Sequence, residues 1–184
     1  MLKATPAAAS VPALWLLGSS MYSAELAAAK GLPYVFAHHF SGHGTEEALA
    51  HYRSHFTPSE LCAEPTTFLT VNVAVAETDA EARELARPNA VNMALLRSGL
   101  PMRPLALAGD DDELPERLEP LVAAQLRKGG VGTPDAVAAH LTELADRFGV
   151  TEVMLHPTVS EHVGVDPAAA PARLASFDLL RAAL

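Results

Sequence analysis

The chain contains a single cysteine, Cys62. No intrachain disulfide can form, and one thiol cannot build a cysteine-based zinc site. A reducing, cytoplasmic compartment is the expectation. Positive charge is scarce as well, with 13 Lys and Arg against 22 Asp and Glu and a net charge of −9. That balance argues against nucleic acid or an anionic membrane surface as a partner, and no basic stripe or nucleic-acid motif offsets it. Long apolar runs are missing too. The N-terminal MLKATPAAASVPALWLLG has a short apolar stretch after Pro12 that ends in Gly-Ser-Ser, and Pro6 and Pro12 interrupt its approach. It reads as a linker and a buried strand rather than a signal peptide, and no run is long enough to span a membrane. No HExxH surrounds the histidines and no G-x-S-x-G elbow surrounds a serine, so the zincin and α/β-hydrolase signatures are absent.

What is present suits one domain: 184 residues, 49% hydrophobic and 19% charged, enough to bury a real core. Leu14–Gly18 reads as a short apolar strand and Ser20–Lys30 as an alanine-rich helix closed by Gly31. Pro33–His38 reads as a second strand, HFSGHG as a loop, and Thr45–Phe56 as a helix with Thr45 as its N-cap. TFLTVNVAVA, Thr67–Ala76, is the clearest strand, rich in β-branched residues. Thr78 with Glu81 three residues on is a capping-box pattern. The helix it opens is expected to break or kink at Pro88 and to resume to Arg97. Residues 98–120 carry Pro101, Pro104, Pro115 and Pro120 and the acidic run Asp110–Glu113. They read as an irregular, lid-like insertion before a short helix near Leu121–Lys128. Gly129–Gly132 reads as a turn, Thr133-Pro134 as a helix start, Val150–His156 as the fourth strand and Arg173–Ala183 as the closing helix.

This order gives four strand–helix units, which implies parallel strands with crossover helices. Four such units make half of an eight-stranded barrel or a small open α/β sheet, and the pattern alone leaves both open. In either, chemistry gathers at the carboxyl ends of strands. Here those ends offer Gly18-Ser19-Ser20, His38-His39, Glu77-Thr78 and His156. Ser19, Ser20 and Ser23 suit either helix capping or phosphate binding, since both use the unpaired N–H groups of a helix start. Gly18 would let a ligand approach the backbone closely. His51 and His55 have ligand-like i, i+4 spacing, but a solvated helix face accounts for them. His38 or His39 is the better pocket group, able to bind a ligand or move a proton near neutral pH. Strand alternation would turn only one of the two toward a barrel mouth. The acidic run matches no calcium loop, and no metal site is expected.

The segment PALWLLGSSMYSAELAAAKGLPYVFAHHF closely resembles the luciferase-like, flavin-dependent monooxygenases, and more narrowly the bacterial luciferase family oxidoreductases. HYRSHFTPS, VNVAVAETDAEARELA, GVGTPDAV and RLASFDLL agree in order, so the resemblance runs from Pro12 to the C-terminus. It implies a (β/α)₈ barrel of which this chain is the C-terminal half, beginning where the fifth strand would begin, against the usual length of about 250 residues. It implies reduced flavin mononucleotide (FMN) as cofactor, deazaflavin being the less favoured choice. Oxygen and a small organic substrate are the co-reactants, and a flavin reductase is a possible partner. By the same resemblance Ser20 and Ser23 hold the flavin phosphate, with Gly18 and Ser19 beside them, while His38 or His39 lines the mouth as the catalytic candidate. A half barrel leaves strand edges and an apolar face uncovered, so a homodimer or a complementary N-terminal half is expected. The alternative is a non-catalytic flavin-binding or assembly module derived from that family.

Overall fold

The computed structural model describes residues 6, 9–10, 12–110 and 114–184. Asp111, Asp112 and Glu113, most of the acidic run, lie outside the described residues. Among the described residues five strands and seven α-helices follow one another: β1 (Leu16–Gly18), α1 (Met21–Lys30), β2 (Tyr34–Phe36), α2 (His38–Ser41), α3 (Thr45–Ser54), β3 (Thr67–Val75), α4 (Asp79–Arg97), α5 (Glu119–Lys128), β4 (Gly130–Gly132), α6 (Pro134–Phe148), β5 (Val153–Pro157) and α7 (Pro171–Ala183). Every strand pairing is parallel, and β3 is the hub, bonded to β2, β4 and β5. The four expected strand–helix units are β1–α1, β2–α3, β3–α4 and β5–α7. Among the described residues no helix is long and apolar enough to cross a membrane.

Local chemistry sets the boundaries. Ser20 is the extended N-cap of α1, and Gly31, at φ 60°, ends it with N–H bonds to the carbonyls of Ala27 and Ala28. A side chain at Gly31 would run into the Thr57 carbonyl, so both φ and space require glycine there. The Thr78 hydroxyl accepts from the Glu81 N–H at 3.2 Å, as its capping pattern predicts. Thr133 caps α6 with Pro134 in the first turn.

Four local expectations are corrected. Gly129–Gly132 is not only a turn: Gly130–Gly132 forms β4, pairing with Val73–Val75. The Thr66 carbonyl, which accepts from the Tyr34 N–H, and the Ala76 N–H, which donates to the Gly132 carbonyl, point to the same side of the β3 chain, so β4 extends the edge that β2 leaves. A Cβ at Gly129 would lie 2.9 Å from the Asn72 carbonyl oxygen, and only glycine allows so close a pairing. HFSGHG is not all loop, because His38–Ser41 forms the single turn α2. Gly44, at φ 75°, takes the N-cap of α3 in place of Thr45. Helix α4 runs unbroken through Pro88. Leu85, Ala86, Ala90, Val91, Ala94 and Leu95 are all buried around it, and burial of that face outweighs a proline cost of about 3 kcal/mol.

The sheet divides the molecule into a filled and an open side. Leu69, Val71, Val73 and Val75 of β3 and Tyr34 and Phe36 of β2 pack with helices α1, α3, α6 and α7 in the main core. The alternate residues face the other way, toward a concave face that is covered only in part: Ala74 is buried there against Ala82, Leu85 and Ala86 of α4, and His39 of α2 lies against Thr70, while the part toward β1 and Met154 of β5 is open. There Leu17 is 61% exposed, Met154 50% and Trp15 41%, with Trp15 against the Phe68 ring at 5.2 Å. Phe36 and Val71 belong to the covered side, each 1% exposed, and the exposed apolar surface comes from Leu17, Trp15 and Met154. Between α4 and α5, residues 98–110 have no helix or strand beyond an isolated bridge at Ala108 to His162. The Asn92 amide holds Arg103 through two backbone bonds of 3.0 Å. The Ser160 hydroxyl donates to the Ala106 carbonyl at 2.6 Å.

Candidate functional site

The carboxyl end of β1 runs directly into the first turn of α1. Ser19 and Ser20 are exposed there, and no acidic side chain occupies that turn. The amides at the helix start carry the positive end of the helix dipole, so this corner favours an anion. Ser23 differs from its neighbours. It is 8% exposed, and its Oγ donates to the Ser20 carbonyl at 2.6 Å. The Ser20 N–H points back at Ser23 Oγ at 3.4 Å, and the Tyr34 hydroxyl lies 2.9 Å away. Burial pushes the Tyr34 phenol above its ordinary range, the Ser23 bond working against it. Ser23 therefore stitches Ser20 to β2 from beneath. Gly18 has the same cause: a Cβ there would overlap Cβ and Oγ of Ser23. Tyr34, the third member of this cluster, was not signalled by the sequence, because its hydroxyl meets Ser23 only through strand pairing.

His38 and His39 sit on α2 rather than on a strand, and they diverge. His38 lies against the Phe148 ring of α6, centroids 5.3 Å apart, and its Nδ1 is 2.8 Å from the buried Thr45 hydroxyl. Burial lowers its pKa to about 4, with smaller contributions from His140, Arg147, His39 and Lys128. It is a neutral ring in the helix layer. His39 turns to the concave face, its Nδ1 2.6 Å from Thr70 Oγ1. Burial first, and then His156, hold its pKa below the usual value. The Asn72 amide joins the group, donating to the His39 carbonyl at 3.0 Å and facing His156 Nδ1 through Oδ1 at 2.8 Å. Thr70 and Asn72 had no signal of their own in the sequence; strand alternation on β3 places them.

His51 and His55 lie on α3 with rings stacked 4.1 Å apart. Glu77 and Thr78 are exposed, Glu77 on the wall of a cleft of about 650 Å³ between α4 and α7. Among the described residues no group of three or more His, Cys, Asp or Glu converges as a metal site.

The luciferase-like monooxygenase family profile matches residues 2–152. The uncharacterized protein YvbT of Bacillus subtilis (strain 168) is 34% identical over 168 residues, which cover 91% of this chain and 48% of YvbT. The crystal structure of apo-MsnO8 superposes with a TM-score of 0.73 at 32% identity, over 97% of this chain and 52% of that one. The oxygenating constituent of 3,6-diketocamphane monooxygenase from Pseudomonas putida, a type II Baeyer–Villiger monooxygenase in complex with FMN, shares the fold with a TM-score of 0.55 at 18% identity. This chain thus spans about half the length of the relatives it matches. The parallel strand–helix order, the serine corner after β1 and a profile match across most of the sequence converge: the chain belongs to the luciferase-like monooxygenase family.

Proposed function

We propose that this chain supplies the phosphate-binding side of a flavin-dependent monooxygenase that uses reduced FMN and oxygen on a small organic substrate. The observation that carries this reading is the corner after β1, where exposed Ser19 and Ser20 and the first-turn amides meet no acidic side chain. Those groups fit the phosphate of FMN. Ser23 fits as a positioning residue, since its hydroxyl is already bonded to Ser20, and Gly18 leaves the room that Ser23 needs. When bound, the flavin supplies the oxygen chemistry, and the protein anchors, orients and shields it. His39, on the concave face, is favoured over His38 as the ring beside substrate, because His38 is packed against Phe148. Residues 98–110, tied to α4 through Arg103 and to Ser160 through Ala106, fit the role of a lid over substrate.

The outer edges of β1 and β5 are unpaired among the described residues. With exposed Leu17, Trp15 and Met154, they favour further strands closing the barrel, from a second copy of this chain or from a complementary half. Mixing the purified protein with FMN, followed by size-exclusion chromatography with absorbance at the flavin band, tests the proposal. Flavin is expected to co-elute with an assembled species, and that species should consume oxygen when a flavin reductase is added. Flavin without turnover would favour the non-catalytic module. Protein free of flavin at every elution volume would remove both readings.

A further inference from the structure

Strands β1, β2, β3 and β5 form one continuous parallel run whose outer edges, at β1 and β5, are unpaired among the described residues. The register can be followed across it. Leu16 pairs with Tyr34, and Tyr34 with Thr67. Leu69 pairs with Val153, so Thr67 is level with Thr151. A barrel of eight parallel strands closes with a shear of about eight residues, so each of two identical halves takes up about four. At that distance on either side of Leu16 lie Pro12 and Ser20. Setting Thr151 level with Pro12 of a second copy brings Val153–Pro157 opposite residues 14–18 of that copy, strand against strand. Setting it level with Ser20 would place β5 opposite α1, whose backbone groups are spent within the helix. Only one sense of closure joins two strands.

We propose that two copies of this chain close one eight-stranded barrel about a two-fold axis along the barrel, β5 of each pairing with β1 of the other, Leu155 level with Leu16 and His156 with Leu17. The inference rests on the barrel reading above and names the second copy as what completes it. Side-chain direction agrees at the joint. Leu16, Val153 and Leu155 pack against the helix-covered core, so Trp15, Leu17, Met154 and His156 point into the barrel. Successive strands of such a barrel step by about one residue along its axis. That step sorts the inward residues into three levels: Trp15 with Phe68, Val35 with Met154, and Leu17 with Thr70. Two copies supply four side chains to each level from alternate strands, and about three levels of four fill a barrel of this class. The Trp15 and Phe68 rings already touch, 5.2 Å apart. Thr70 brings a hydroxyl inside, which has its partners in the Phe36 carbonyl and His39. Strand β4 pairs with β3 beyond the end of β2 and leaves both joints free. The two joints are identical, so the assembly closes at two copies.

Cysteine pairs read the register. In a Cys62→Ser background, Leu17→Cys with His156→Cys puts two thiols on adjacent strands, about 4.8 Å apart across the joint and within disulfide reach. Inside one copy the same positions are three strand spacings apart, about 14 Å, which no disulfide spans. Mild oxidation without flavin is expected to give a covalent dimer and no larger species. It should run at least tenfold faster than for Leu17→Cys with Glu152→Cys, the pair that closure without shear would join. Sedimentation velocity of the wild-type protein should show a monomer–dimer equilibrium at micromolar concentration. Faster linkage of the Glu152 pair, a ladder of larger species, or wild-type protein that stays monomeric at every concentration would overturn the inference. Flavin binding is read separately. A dimer of this register that binds no FMN sustains the inference and removes the flavin reading; a monomer that binds FMN does the reverse.

Discussion

Gly18→Ala probes the serine corner without touching any exposed group. The new methyl would overlap Cβ and Oγ of Ser23, whereas carbon atoms need about 3.5–4 Å between them. Ser23 Cβ is fixed to the first turn of α1, so rotation of a side chain cannot relieve the overlap, and the helix start must move. Overpacking of this kind costs about 1–3 kcal/mol. Ser23→Gly is expected to cost about 2 kcal/mol, from an added helical glycine and loss of the hydroxyl's bonds to Ser20 and Tyr34. The double variant removes the overlap altogether. It should be no less stable than Ser23→Gly alone, which is a favourable coupling of about 1–3 kcal/mol. Urea unfolding of the four proteins, with unchanged slopes, measures it. Additive costs, or a Gly18→Ala protein as stable as wild type, would refute the claim that glycine is there to accommodate Ser23.

Ser176→Ala removes the hydroxyl that accepts from the buried Val75 N–H at 2.8 Å and should cost about 1–3 kcal/mol in denaturant unfolding. His38, with its pKa lowered to about 4, binds fewer protons folded than unfolded between pH 6.5 and 4. Its contribution is complete above pH 6.5 and is lost as pH falls toward 4. The full shift corresponds to about 3 kcal/mol, and solvent screening of the partly exposed ring leaves roughly half of that; His38→Asn should flatten the pH profile across that window. Leu17→Lys, on the open face, should change the unfolding free energy of the isolated chain by less than about 0.5 kcal/mol. It should nevertheless abolish any higher species in sedimentation velocity; an unchanged distribution would remove the open face from assembly.

Much of this arrangement was legible because local signals and the global fold agree. Ser20 and Gly31 bracket α1, Thr78 with Glu81 opens α4, and Thr133-Pro134 opens α6, each through backbone chemistry confined to a few residues. The β-branched run at β3 identified the central strand. Features set by distant partners were hidden. Gly130–Gly132 has no strand propensity and is a strand only because glycine lets it lie against β3. Pro88 stays helical because buried neighbours hold both flanks of α4. Which residues face the core also depended on strand phase, which puts Phe36 and Val71 inward and leaves Trp15 out. At the site, the sequence pointed to the serine corner but not to the division of labour within it, because Ser23 meets Tyr34 only once β2 lies beside α1. The pairing of His39 with His156 was invisible for the same reason: Asn72 links them across β3.

The central claim is that exposed Ser19 and Ser20 and the amides opening α1 hold a phosphate. Titrating the protein with FMN and, separately, with riboflavin tests it most directly, in wild type, in Ser20→Ala and in the Ser20→Ala, Ser23→Ala double variant. The account predicts tighter binding of FMN by wild type and a loss in both variants that falls on FMN and spares riboflavin. Equal affinities for the two flavins in wild type, or equal losses for both in the variants, would contradict it.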